Sequence, residues 1–381
     1  MTTVTPVHVA ASAYAQEGAG SRVSAVISVG ERRFPVVVKS ASRRIRPLLN
    51  RGDAWLPIAL IPAMRENLAL VLTDPVSPRL LASLPAIQRT LAAWYPDLSI
   101  VPVTAPRGRV SGRRGADATF QFFTGGVDSF FSLLNHRAEI GALVYVHGYD
   151  VPLLHSEHRR RVSESLSGAA RQLTTPVIEL ESNARTLLDH YGDWGDHTHG
   201  AALASIGLML GAEASRVILP ATHTLADLDP WGSHPLLDPL WSTESTSIVH
   251  DGVETSRFAK IAALAGDPVV AHHLRVCWNT TTELNCSNCE KCLRTMTAFE
   301  ILGQLAGLST FRGPLEVARL ADFPPTNDNE LAFTIDNRDA ARLADREDIT
   351  SVLDPIIESY LAAPPERPPF TPWLSQRPPE L

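Results

Sequence analysis

Residues 120–134 read FQFFTGGVDSFFSLL, and this stretch limits the fold more than any other. An apolar run ends at Phe123, two glycines follow, and a second apolar run opens behind Asp128 and Ser129. The second run has helical rather than alternating periodicity. That argues against a hairpin through the glycine pair and for a strand, a turn and a helix. Gly125 and Gly126 admit backbone conformations closed to other residues, and Asp128 and Ser129 suit a helix start. In such a loop the free backbone N–H groups converge with the positive end of the helix dipole, which makes an anion site. The hydroxyls of Thr124 and Ser129 add donors. The loop is neither G-x-x-x-x-G-K-[ST] nor G-x-G-x-x-G.

The downstream sequence continues the alternation. GALVYVHGYD reads as a strand, SEHRRRVSESLSGAARQL as a helix with a polar face, and TPVIELES as a strand. HGAALASIGLMLGAEA reads as a buried helix and RVILPAT as a further strand. This pattern predicts an α/β fold, a mostly parallel sheet with helices on both faces and ligands at the carboxyl ends of the strands. Upstream, RVSAVISVG and RRFPVVVKS pair as strands around a Gly-containing turn, and SPRLLASLPAIQRTLAAWY is a helix starting at Ser77-Pro78. LSIVPVTA reads as a strand, and WLPIALIPAMRENLALVL mixes helix and strand.

The Gly- and Arg-rich stretch PRGRVSGRRGADA reads as a linker. It divides an α+β accessory domain at 1–115 from an α/β domain at 116–312. A helical extension follows at 313–381, and its Pro-rich end, PPERPPFTPWLSQRPPEL, reads as extended. A chain of 381 residues is long enough for two domains. Its net charge of −7 argues against broad nucleic-acid binding. The sequence lacks a run of about 18 apolar residues. MTTVTPVHVAASAYAQEG lacks a basic region ahead of an apolar stretch, so a cytoplasmic location is expected.

All four cysteines, Cys277, Cys286, Cys289 and Cys292, fall in CWNTTTELNCSNCEKC. The spacing C-x8-C-x2-C-x2-C lets four thiolates close on one tetrahedral structural zinc ion. An iron–sulfur cluster, which also takes four thiolates, is the rival.

TGGVDS resembles the S-G-G-x-D-S pyrophosphate loop of the N-type ATP pyrophosphatase (PP-loop) superfamily, with Thr124 keeping the first hydroxyl. The resemblance implies a Rossmann-like fold that splits ATP into AMP and pyrophosphate. Thr124, Gly125, Gly126, Val127, Asp128 and Ser129 would grip the pyrophosphate, and Mg2+ would share that work with Asp128. A T-K pair in that superfamily supplies a lysine to the pyrophosphate. Ser256-Arg257 stands in its place here, so Arg257 would carry the charge, with Lys260 as the fallback. The implied catalytic set is Asp128, Ser129 and Arg257.

Together with the cysteine pattern, residues 116–308 resemble the QueC (7-cyano-7-deazaguanine synthase) group, whose zinc site has a slightly different first spacing. That implies an AMP-forming, carbon–nitrogen bond-forming ligase. It would adenylate a carboxylate or carbonyl oxygen of a heterocyclic acid, of 7-deazaguanine type, and transfer nitrogen to it. The QueC-like group also admits a protein as acceptor, and a homo-oligomer is expected. Residues 1–115 and the tail have no counterpart in the compact enzymes. Two alternatives stand beside this reading, a sulfur-transferring modifying enzyme of the same superfamily and a non-catalytic ATP-binding partner protein.

Polar and aromatic residues behind the strand ends are the substrate-pocket candidates. They are His147, His199, His223, Asp227, Trp231 and His234, with Asp150, His197 and Asp238 nearby in sequence. An Asp can pair with the N–H groups of a flat heterocycle, and a Trp can stack on it.

Overall fold

The structure, a computed structural model, describes residues 5–18, 20–41, 47–108, 117–279 and 283–365. The linker stretch 109–116 and the Pro-rich end from 366 lie outside them. The first part of the chain contains β1 (Val7–Val9), β2 (Ala13–Glu17), β3 (Gly20–Val29), β4 (Arg32–Ser40), α1 (Gly52–Arg65), β5 (Leu70–Leu72), α2 (Pro78–Trp94) and β6 (Val103–Thr104). The second contains β7 (Ala118–Phe122), α3 (Val127–Asn135), β8 (Ile140–His147), α4 (Ser156–Leu173), β9 (Val177–Ser182), α5 (Arg185–Tyr191), α6 (His199–Met209), β10 (Ala214–Pro220) and β11 (Ser247–Asp251). Five helices complete it: α7 (Arg257–Leu264), α8 (Pro268–His273), α9 (Glu290–Ile301), α10 (Asp328–Leu343) and α11 (Glu347–Ala362), with a short 3-10 turn at Val317–Asp322 ahead of α10.

The described strands form one central sheet in the order β11-β10-β7-β8-β9-β4-β3-β1-β5-β6, with β2 also pairing β3. Helices flank it, so the fold is mixed α/β as expected. From β11 to β9 every pairing is parallel. The chain leaves β7, moves outward through β8 and β9, then crosses back so that β10 pairs the opposite edge of β7. The strand order therefore reverses at β7, which opens a crevice at its carboxyl end.

Side chains of the parallel strands are buried on both faces, as two-sided cover requires. Along β8, Ala142, Val144 and Val146 join one apolar cluster with α1, α5 and α6. Leu143 and Tyr145, which alternate with them, join a second cluster with α3, α4, α7 and α9. α1 is buried almost all round and keeps Pro57 and Pro62 in its interior, so packing outweighs their poor helix propensity. α2 starts as its sequence suggests, with the Ser77 hydroxyl accepting from the Leu80 N–H at 3.1 Å. The strand read from LSIVPVTA shortens to Val103–Thr104. In the tail, Leu320, Ala341, Ile349 and Leu353 pack with Leu293 of α9.

The two parts of the sheet meet where β4 pairs antiparallel with β9 over Val38–Ser40 and Leu180–Ser182. Asn183 reinforces this seam. Its Oδ1 accepts from the Val37 N–H at 2.8 Å, and its Nδ2 donates to the Pro35 carbonyl at 2.9 Å. Asn183→Ala strands a buried backbone N–H, so a loss of roughly 1–3 kcal/mol is expected. A shift of the urea midpoint to lower concentration at unchanged slope is the result to look for.

Candidate functional site

A cavity of about 230 Å³ opens at the carboxyl ends of β7, β8 and β10. Its floor is the glycine loop. Gly125 takes φ +76°, a conformation that other residues rarely adopt. Gly126 is the N-cap of α3, and no side chain caps that end. The first-turn N–H groups of α3 thus lack both intrahelical and side-chain partners. The hydroxyls of the loop bond within it. Thr124 Oγ1 accepts from the Gly126 N–H at 3.3 Å, and Ser129 Oγ donates to the Gly126 carbonyl at 2.9 Å. They shape the turn, and the first-turn N–H groups of α3 stay without a side-chain cap.

Asp128 lies at the centre of the charged wall. Its Oδ2 pairs with Arg257 Nη1 at 2.7 Å and its Oδ1 with Lys260 Nζ at 3.5 Å. Lys260 is fully buried and also donates to the Ala221 carbonyl at 2.6 Å, at the end of β10. Burial works to raise the Asp128 carboxyl, but Arg257, Lys260 and His223 outweigh it and hold the group below the usual carboxylate range. Arg257 lines the cavity, whereas Lys260 sits behind it.

Three further cations line the same cavity and escaped the sequence reading: Arg275, Lys291 and Arg294. Arg275 clips the loop from above. Its backbone N–H donates to the Gly125 carbonyl at 2.8 Å and its Nε to the Thr124 carbonyl at 3.2 Å. Its Nη2 pairs with Asp150 at 3.2 Å. These residues flank the cysteine segment, since Arg275 precedes Cys277 by two and Arg294 follows Cys292 by two. That proximity to a metal motif was the available signal.

The four cysteine sulfurs lie within 4.8 Å of one another. Cys277 and Cys289 are 3.9 Å apart, and Cys286 and Cys292 are 3.8 Å apart. Thiolates held about 2.3 Å from one tetrahedral ion lie about 3.8 Å apart, so the set fits a single metal ion. The buried Asn285 holds the segment in shape. Its Oδ1 accepts from Val276 and Cys277 N–H groups, and its Nδ2 donates to the Leu274 carbonyl. Among the described residues the cysteines are the group able to hold a metal.

The cavity also has an aromatic lining, with Tyr149, Trp194, His199 and Trp231. Trp194 opens a π-helical turn over Trp194–Thr198. A Cβ on Gly195 in that turn would come within 2.6 Å of the Trp231 ring, so a glycine is needed for Trp231 to pack there. His199 Nδ1 bonds the Trp194 carbonyl at 2.9 Å, and the His199 and Trp231 rings meet edge to face at 5.6 Å.

The remaining sequence candidates lie elsewhere. His147 turns to Glu179 at 2.8 Å beneath α4. Asp227 is exposed and bonds Thr224. His234 packs on Trp94 of α2, and His197 on Tyr95. Asp238 is buried with His250 and Ser233, of which Ser233 reaches the cavity. His223 stands behind the charged wall with neither ring nitrogen bonded.

Burial lowers three of these histidines, His223 to about 3, His234 to about 4, and His199 in the same direction. Between these values and the ordinary 6.5 the unfolded chain binds more protons than the folded one, so stability falls as pH drops below about 6.5. Urea titrations from pH 7 to pH 4.5 are expected to show this decline, with a shallower slope in the His223→Gln/His234→Gln variant. For the cysteines, elemental analysis is expected to give close to one metal ion per chain, and Cys286→Ser is expected to lower that ratio.

Comparison of the chain with protein-family models, with curated proteins and with solved structures finds no match.

Proposed function

We propose that the chain is an AMP-forming, ATP-dependent ligase of the PP-loop type, with a Rossmann-like nucleotide-binding fold and a QueC-like combination of loop and cysteine site. One observation carries this reading. The uncapped start of α3 opens, at the point where the strand order reverses, onto a cavity lined by both cations and aromatic rings. ATP would place its phosphates on the glycine loop. Negative charge grows on pyrophosphate as it leaves, and fixed N–H groups and guanidinium ions aimed at that position lower the barrier. Arg257 supplies a planar, two-pronged donor suited to phosphate oxygens. Lys260 acts through Asp128 and helps keep the loop in place.

Two carboxylates line the cavity, Asp128 and Asp150, and each is ion-paired. That suits Mg2+, which binds chiefly through substrate phosphates and needs only one or two carboxylates from the protein. Mg2+ would neutralise phosphate charge there. The four thiolates would hold zinc in a closed set with no open position, a structural role. The aromatic lining accommodates a flat heterocyclic acid such as a 7-deazaguanine carboxylate, whose oxygen would take the AMP before nitrogen attacks. Sulfur transfer is disfavoured because all four cysteines gather at the metal site, leaving no thiol to carry the sulfur.

Incubation with ATP, Mg2+, ammonia and a panel of heterocyclic acids, including 7-carboxy-7-deazaguanine, tests the reading by mass spectrometry. Acid-dependent AMP and pyrophosphate are expected, together with a nitrogen-bearing product. Arg257→Met is expected to lower the rate about a hundredfold. ATP binding without AMP under any of these conditions would make the chain a nucleotide-binding protein and not a ligase.

A further inference from the structure

Phe333 belongs to α10, in the C-terminal extension, yet its ring is the common support of the charged wall. The Arg294 guanidinium lies over that ring at 4.3 Å from its centroid, and the Arg257 guanidinium at 5.6 Å. The His223 ring stacks on it at 5.4 Å and 17°. Two further residues of α10 grip the same neighbours. Asn337, one turn on, donates to the Arg294 carbonyl at 3.0 Å. The carboxylate of Asp336 lies beside Phe258 and Ser256 at the start of α7. α10 thereby ties together the two helices that carry Arg257 and Arg294.

The charges on these groups are not balanced within the cavity. Three guanidinium groups line it, Arg257, Arg275 and Arg294, against the carboxylates of Asp128 and Asp150. Arg294 pairs with Glu290 at 3.1 Å, but its Nε has no hydrogen-bond partner, and neither does that of Arg257. Both are buried nitrogens. Two largely buried guanidinium groups on one ring repel each other, and buried unpaired donors are costly. An anion between them would relieve both effects.

We propose that Arg294 is a second anion-contacting residue beside Arg257 in the cavity that the glycine loop lines, and that Phe333 is the positioning residue that aims Arg294 together with Arg257. This proposal deepens the ligase reading and rests on it for the identity of the anion as pyrophosphate. The aromatic ring holds each guanidinium by its face, so that N–H groups not paired with Asp128 or Glu290 can meet phosphate oxygens. The tail thus completes the site by the aim it gives to residues that precede it in sequence.

Calorimetric titration of the full chain with inorganic pyrophosphate and Mg2+ tests this without requiring turnover. Arg294→Met is expected to weaken binding roughly tenfold or more, as loss of a charge-assisted contact does. Phe333→Leu is expected to weaken it severalfold, and Phe333→Tyr, which keeps the ring, to bind as the parent does. The double variant Arg294→Met/Phe333→Leu is expected to lose less than the product of the single losses, because Phe333 acts partly through Arg294. Parent-like affinity in Arg294→Met, or losses that multiply in full, overturns the proposal. If Phe333→Leu fails to fold, the Arg294→Met and Phe333→Tyr results still decide it. A parent protein that binds no pyrophosphate overturns the nucleotide reading itself, an outcome distinct from a parent that binds and an Arg294→Met variant that binds equally well.

Discussion

The Asp128 carboxylate is the group on which the site depends. Lys260 is buried, and a buried ammonium costs several kcal/mol unless a counter-charge and acceptors meet it. Asp128 and the Ala221 carbonyl do so, and the second oxygen of Asp128 takes Arg257. One carboxylate therefore fixes the first turn of α3 to the first turn of α7 and to the end of β10. The glycine loop is held before any ligand arrives, so little ordering entropy is left to be lost on binding.

The cysteine segment fixes its share of the cavity lining by other means. The described residues between α8 and α9 belong to no helix or strand. Four thiols converging on one point and the four contacts of Asn285 hold the segment in place instead. Arg275, Trp278, Lys291 and Arg294 project from this segment or its flanks into the cavity. Charged side chains are thus mounted on a segment tied by amide hydrogen bonds and by a cysteine set able to hold a metal ion.

What could be read from the sequence was mainly local. The β3–β4 hairpin, the Ser77 start of α2 and the strand–glycine–helix unit around Gly125 and Gly126 each depend on neighbours within a few residues, and each is present. The β4–β9 pairing joins segments some 140 residues apart, and no local pattern encodes that register. His147 shows a second limit. A strand-end position sets the end of the sheet where a side chain sits but not the face it points to, and His147 points to Glu179. Arg275 and Arg294 escaped notice because an arginine in a polar segment looks solvated until the fold turns it inward. The place of Phe333 in the site was hidden because nothing in the tail sequence says which ring will be covered.

The seam between β4 and β9 also governs where this chain can be cut. β9 carries backbone groups that β4 satisfies along one side, and the apolar cluster beneath runs without a break from Val23, Val36 and Trp55 to Phe122, Val144 and Leu180. A fragment beginning at β7 would present β9 as a bare edge beside an uncovered apolar face, which is a template for aggregation. Recombinant boundaries, fusions and exchanges of this region with related sheets therefore have to carry β4 and α1 along with it, or supply elements that pair β9 and cover the same apolar face.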